Sequence, residues 1–139
     1  MKTIAEIENE IIEDFELFED WEGKYNYLID LGKELPMIHS MYKNEEYIVR
    51  GCQSRVWLHA SNEGDRVFYT ADSDAIITKG LVALLIKVLN GQKAEDIAKA
   101  ELGFIDKIGL KEHLSPTRSN GLVSMIKQMK LYALALNQK

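Results

Sequence analysis

Between Thr3 and Phe18, the apolar residues Ile4, Ile7, Ile11, Phe15 and Phe18 recur every three or four positions, and much of the rest is acidic. That period predicts an amphipathic surface helix. Trp21, Tyr25, Leu28 and Ile29 repeat the spacing as far as Leu31. A second helix is expected there, with Gly32 as its C-cap and Leu35-Pro36 closing the helical region. The period then shortens. Tyr47-Ile48-Val49 reads as a strand running into Gly51-Cys52, and Arg55 to Ala60 and Arg66 to Asp72 read as two more. Asn62-Glu63-Gly64-Asp65 between them predicts a hairpin with a four-residue loop. In that register Ser61 pairs with Arg66, which sets Val56 opposite Ala71, Leu58 opposite Tyr69 and Ala60 opposite Val67. All six share one face, as a half-buried sheet requires, and Arg55 meets Asp72 on the other.

The segment Ala75 to Leu89 is apolar on nearly every side, so it is expected to be the central buried helix, capped by Asp72-Ser73-Asp74 and stopped by Asn90-Gly91. Shorter helical pieces follow at Ala94 to Glu101 and Phe104 to Ile108. After a polar loop, Lys111 to Ser115, Pro116 is placed to open a last helix. Leu122, Met125, Ile126, Met129, Tyr132, Ala133 and Leu136 form its core stripe. The order of helices, strands and helices predicts an α+β fold with a small three-stranded antiparallel sheet and helices packed on one face. No repeat or linker divides residues 1–139, so a single domain is expected.

Composition narrows the function. With 46% hydrophobic residues, the 139-residue chain can bury a real core. No segment approaches the ~20 uninterrupted apolar residues of a membrane span. The opening Met1-Lys2-Thr3 soon becomes acidic and lacks a signal-peptide layout, which makes the cytoplasm the default location. A net charge of -5 and a pI near 5.2 argue against a nucleic-acid partner. The single cysteine excludes an internal disulfide and most iron-sulfur or structural zinc sites, which take about four ligands. In sulfur chemistry such a chain can carry or relay, not scaffold.

Cys52 sits between a strand end and the hairpin, flanked by Gly51, Gln53 and Ser54. The common explanation of a lone cysteine is a small buried hydrophobe. Here Gly51 permits close approach of another chain, and Arg50 and Arg55 bring positive charge that favours a thiolate. A second feature is Leu114-Ser115-Pro116-Thr117-Arg118-Ser119-Asn120-Gly121. It reads as a capping segment or, functionally, as a helix start whose N–H groups and Arg118 face an anion. His39, His59 and His113 have no ligand-like spacing, either to each other or to Cys52. A cysteine hydrolase would need a base beside Cys52, and only folding could bring His113 there.

Taken together, these stretches resemble the SufE family of cysteine desulfuration proteins. The resemblance rests on Trp21-Glu22-Gly23-Lys24-Tyr25, Leu31-Gly32 and Leu35-Pro36, and on Val49-Arg50-Gly51-Cys52-Gln53-Ser54-Arg55-Val56-Trp57-Leu58. Asp72-Ser73-Asp74-Ala75, Lys79-Gly80-Leu81 and the Leu114 to Gly121 stretch complete it. It implies a SufE/IscU-type fold in which Cys52 accepts the terminal sulfur of a desulfurase persulfide and passes it to an iron-sulfur cluster assembly complex. It further implies that the chain stimulates a SufS- or CsdA-type cysteine desulfurase without being an enzyme itself. Pyridoxal phosphate would belong to that partner, and this chain would hold no cofactor or metal. Arg118 is then expected to stabilise the sulfur anion, and Gly51, Gln53, Ser54 and Asp74 to form the loop and its partner contacts. Since a persulfide must be shielded between partners, Cys52 is expected to be tucked away when free and extended when docked, with Gly51 as hinge. The chain would act as a monomer or weak homodimer. The rival readings are a regulatory module that carries no sulfur and a thiol enzyme with Cys52 as nucleophile.

Overall fold

The computed structural model describes residues 2–137. Two helices open it, α1 (Ile4–Glu16) and α2 (Trp21–Lys33). The start of α1 is a capping box: the Thr3 hydroxyl accepts from the Glu6 N–H at 3.1 Å, while the Glu6 carboxylate accepts from the Thr3 N–H at 3.1 Å. Asp20 caps α2 by accepting from the Gly23 N–H at 2.9 Å. Gly32 does not end α2, contrary to the expectation. It is buried within the helix, and a Cβ there would stand 3.0 Å from the Gly80 nitrogen. A Cβ on Gly80 would lie 2.3 Å from the Leu28 carbonyl oxygen. The two glycines bring α2 into backbone contact with the central helix α3 (Ile76–Leu89).

The strands are β1 (Val56–Glu63) and β2 (Arg66–Ser73), paired antiparallel. The register is two residues off the expected one: Glu63 faces Arg66, Leu58 faces Ala71 and Ala60 faces Tyr69. The connection is a two-residue turn, Gly64-Asp65, not a four-residue loop. Gly64 takes φ +63 at the first turn position, the conformation that a tight hairpin turn demands there. An even shift preserves the faces, so Val56, Leu58, Val67, Tyr69 and Ala71 are buried as expected, and Ala60 partly so. Trp57, not Arg55, lies opposite Asp72, whose carboxylate pairs with Lys43 at 2.9 Å and Lys79 at 3.3 Å.

The described residues form two strands, not three. Glu45–Tyr47 closes into a 3₁₀ turn, and the expected third strand reduces to one bridge, Ile48 to Trp57, with a Val49 N–H···O=C Val56 bond of 2.8 Å. Pairing stops there because Gly51, at φ +94, turns the chain away. The outer sheet face is covered by this segment, with the Tyr42 ring stacked on His59 at 3.6 Å and Lys43 over Trp57.

Ten of the fourteen α3 residues are buried, which makes it the central helix. Asp72-Ser73-Asp74 does not cap it as expected. Ala75 occupies the cap position without a side-chain cap bond, and the two carboxylates are engaged elsewhere. Asn90 and Gly91, the latter at φ +76, end the helix. Then come α4 (Ala94–Lys99), α5 (Phe104–Lys107) and α6 (Pro116–Asn137). Gly121, Leu122, Met125, Met129 and Ala133 of α6 are buried, and Tyr69 on β2 donates its hydroxyl to the Met129 carbonyl at 2.7 Å. Both α3 and α6 pack on the inner face of the sheet, giving an α+β fold. Among the described residues, no helix is long and apolar enough to cross a membrane.

Candidate functional site

The Cys52 loop leaves the buried Val49 and rejoins the sheet at Val56. Between them it lies on the first turns of α6, and two glycines allow the contact. A Cβ on Gly51 would meet the Ser124 hydroxyl oxygen at 2.4 Å, and one on Gly121 would stand 3.5 Å from Cys52 Sγ. The thiol itself faces the Gly121 carbonyl at 3.6 Å, a weak S–H···O contact. The far end of the loop is fixed by the residues after β2. The Asp74 carboxylate accepts from the Arg55 N–H at 3.0 Å, its own N–H donates to the Arg55 carbonyl at 3.3 Å, and the Ser73 hydroxyl donates to that carbonyl at 2.8 Å.

Under the loop lies a cavity of about 70 Å³. Cys52, Gln53 and Ser54 line it from the loop, Thr78 and Leu81 from α3, and Thr117, Arg118, Gly121 and Met125 from α6. The fold thus brings Cys52 and Arg118 to one space although they lie far apart in the chain. Gln53 and Ser54 share that space, while Gly51 and Asp74 shape and anchor the loop outside it. Ser115 caps α6 by accepting from the Arg118 N–H at 3.3 Å. Ser115 thus caps α6, as one reading of this stretch expected, and Thr117, Arg118 and Gly121 of the same stretch line the cavity.

Arg50 and Arg55 are exposed and do not line the cavity, so they do not supply the thiolate-stabilising charge expected of them. Burial dominates instead and pushes the Cys52 thiol above its ordinary pKa, which favours the neutral S–H in this conformation. No histidine, aspartate or glutamate is among the cavity-lining residues. His113 lies against Trp21 with ring centroids 3.8 Å apart, and His59 is stacked on Tyr42 on the outer sheet face. His39 accepts from the Met41 N–H. A base for hydrolytic chemistry is thus missing beside Cys52. Among the described residues no three His, Cys, Asp or Glu side chains converge as a metal site needs. An open groove of about 470 Å³ between the start of α1 and α4 contains neither Cys52 nor Arg118.

Sequence reasoning missed Thr78, Leu81, Ser124 and Met125. Leu81 and Met125 read as ordinary core. Thr78 alone left a signal, a hydroxyl inside an otherwise apolar helix face.

A family model described as "SufE: Fe-S metabolism associated domain" matches residues 9–133. An uncharacterized SufE-like protein of Rhizobium meliloti (strain 1021) is 42% identical over 127 residues, covering 88% of this chain and 91% of that protein. A second, from Rhizobium etli, is 42% identical over 127 residues and is covered over 86% of its length. The chloroplastic/mitochondrial SufE-like protein 1 of Arabidopsis thaliana is 41% identical over 131 residues, although the match spans only 35% of that longer protein. The solution structure of a hypothetical protein from Thermus thermophilus superposes with a TM-score of 0.80 at 22% identity, over 96% of this chain and 97% of that one. The chain belongs to the SufE family, whose domain is associated with iron-sulfur metabolism.

Proposed function

We propose that this protein is a non-enzymatic sulfur carrier that takes persulfide sulfur from a cysteine desulfurase onto Cys52 and delivers it to an iron-sulfur assembly complex. One observation carries the reading: the half-buried Cys52 thiol lies at a small cavity with room for an added atom. A volume of about 70 Å³ exceeds the roughly 30 Å³ share of one water in the liquid, a group close to sulfur in size. The absence of an acid or base from the lining suits storage better than hydrolysis.

In the transfer step, the Cys52 thiolate attacks the terminal sulfur of the partner's persulfide. A new S–S bond forms at Cys52 as the partner's S–S bond breaks, and the partner's cysteine leaves as a thiolate. One proton passes from the Cys52 thiol to the departing thiolate, and no net oxidation occurs. Because burial holds Cys52 protonated, attack requires the loop to leave α6, with Gly51 as hinge. On return, the added sulfur occupies the cavity, where Arg118 faces its charge. Gln53 and Ser54 complete the loop side, and Asp74 sets how readily it opens. Pyridoxal phosphate is the partner's, and docking on a SufS- or CsdA-type partner stimulates that enzyme. The reading includes a cytoplasmic location, one domain over 1–139, and a monomer or weak homodimer.

Incubation with a desulfurase and free cysteine, followed by intact mass measurement, tests it. The expected result is a gain of one sulfur atom that reductant reverses and Cys52→Ser lacks. No gain, with desulfurase turnover still raised, would establish a regulator and sink the carrier.

A further inference from the structure

Besides Tyr69, whose hydroxyl donates to the Met129 carbonyl, the buried residues with a polar side chain in the described chain are Thr78 and Gln92. Gln92 donates to the Lys2 carbonyl, but the Thr78 hydroxyl has no hydrogen-bond partner among the described residues. Thr78 is only 6% exposed, yet no fully enclosed side-chain oxygen there goes unpaired. The hydroxyl oxygen therefore borders open space, and the space that Thr78 lines is the Cys52 cavity. A hydroxyl at the edge of an apolar helix face, with no partner in the protein, is free to donate to whatever enters that space. Arg118 is exposed at the cavity's outer side, whereas Thr78 lies at its inner end. A charged donor and a neutral donor thus border the same small volume.

We propose that the Thr78 hydroxyl is a positioning donor for the terminal sulfur of the Cys52 persulfide, holding it in the cavity while the loop is closed. This deepens the carrier reading and rests on it. The terminal sulfur of a persulfide is more acidic than a thiol, so it enters as an anion and needs donors. Thr78 can give one O–H···S bond from the α3 side of the cavity, opposite the exposed Arg118. The same hydroxyl has no protein partner to give up, so its bond to the sulfur costs no bond within the fold.

The experiment loads the protein directly with excess sodium tetrasulfide. The Cys52 thiolate takes one sulfur and trisulfide leaves, so no desulfurase is required. After desalting, two rates are read by intact mass: loss of the added sulfur to a water-soluble phosphine, and iodoacetamide alkylation of the unloaded thiol. Thr78→Val keeps shape and removes the hydroxyl; Thr78→Ser keeps the hydroxyl. Thr78→Val is expected to lose sulfur roughly tenfold faster, as for one hydrogen bond to a charged group, with alkylation unchanged. Thr78→Ser is expected to restore the slow loss. Equal sulfur loss in Thr78→Val and the parent protein overturns the proposal, as does failure of Thr78→Ser to rescue. So does a parallel change in both rates, the sign of a merely structural role. If the parent protein accepts no sulfur at Cys52, the carrier reading itself falls.

Discussion

At Cys52 a half-buried thiol and an exposed cation border one cavity. Burial under the loop raises its pKa, while the residue that could favour an anion, Arg118, borders the same cavity. A thiol held neutral is a poor nucleophile and a safe resting state, because attack needs the thiolate. In the carrier reading, reactivity is controlled by loop opening, and the 3.0 Å bond that the Asp74 carboxylate accepts from the Arg55 N–H opposes it. Asp74→Ala is expected to speed iodoacetamide alkylation of Cys52 about two- to tenfold, the range for one lost hydrogen bond. The pH midpoint of alkylation should lie above that of an exposed peptide thiol in the parent protein and fall toward it in the variant. The sign follows from the shift: burial raises the pKa of the closed state, and opening removes burial. An unchanged rate and midpoint in Asp74→Ala would show that the loop is held by something else.

At the scale of elements, the close crossing of α2 and α3 sets the position of the loop's floor. Gly80 lies two residues after Thr78, against the α2 backbone. Gly80→Ala would place a methyl carbon 2.3 Å from the Leu28 carbonyl oxygen and 2.7 Å from its carbonyl carbon, backbone atoms that cannot swing aside. Destabilisation at or above the roughly 1–3 kcal/mol of ordinary overpacking is expected in urea unfolding. A loss under about 0.5 kcal/mol would mean that the helices separate freely. The same crossing explains where sequence reasoning ran out. The helical periods of α1, α2 and α6 and the inward face of the hairpin were legible, because each depends on spacing within one segment. Gly32 was misread as a cap because its neighbour, Gly80, is 48 positions away. The third strand failed for a related reason, since three favourable residues at Tyr47 to Val49 cannot reveal that Gly51 redirects the chain. In the site, Cys52 and Arg118 were legible as residue types in unusual company. Thr78 was not, because its significance appears only when α3 is laid under the Cys52 loop.

Across the whole molecule, the starts of α3 and α6 converge beneath one loop, while the sheet supplies a firm edge at Val49 and Val56. The segment before the loop is pinned to the outer sheet face by the Tyr42 stack on His59 and by Lys43 between Asp72 and Trp57. In the carrier reading, opening is thereby confined to the stretch from Arg50 to Arg55, so that a docked partner extracts Cys52 without disturbing the core. Storage alone would make a dead-end adduct, whereas a carrier must also release its sulfur to a second protein. The most direct measurement is a chase. The chain is loaded by a desulfurase from radiolabelled cysteine, purified from that enzyme, and mixed with an iron-sulfur assembly complex. Label is expected to leave Cys52 and appear on the assembly complex, with no transfer from Cys52→Ser. Label that stays on Cys52, or that reaches the complex equally well from Cys52→Ser, would contradict the carrier reading.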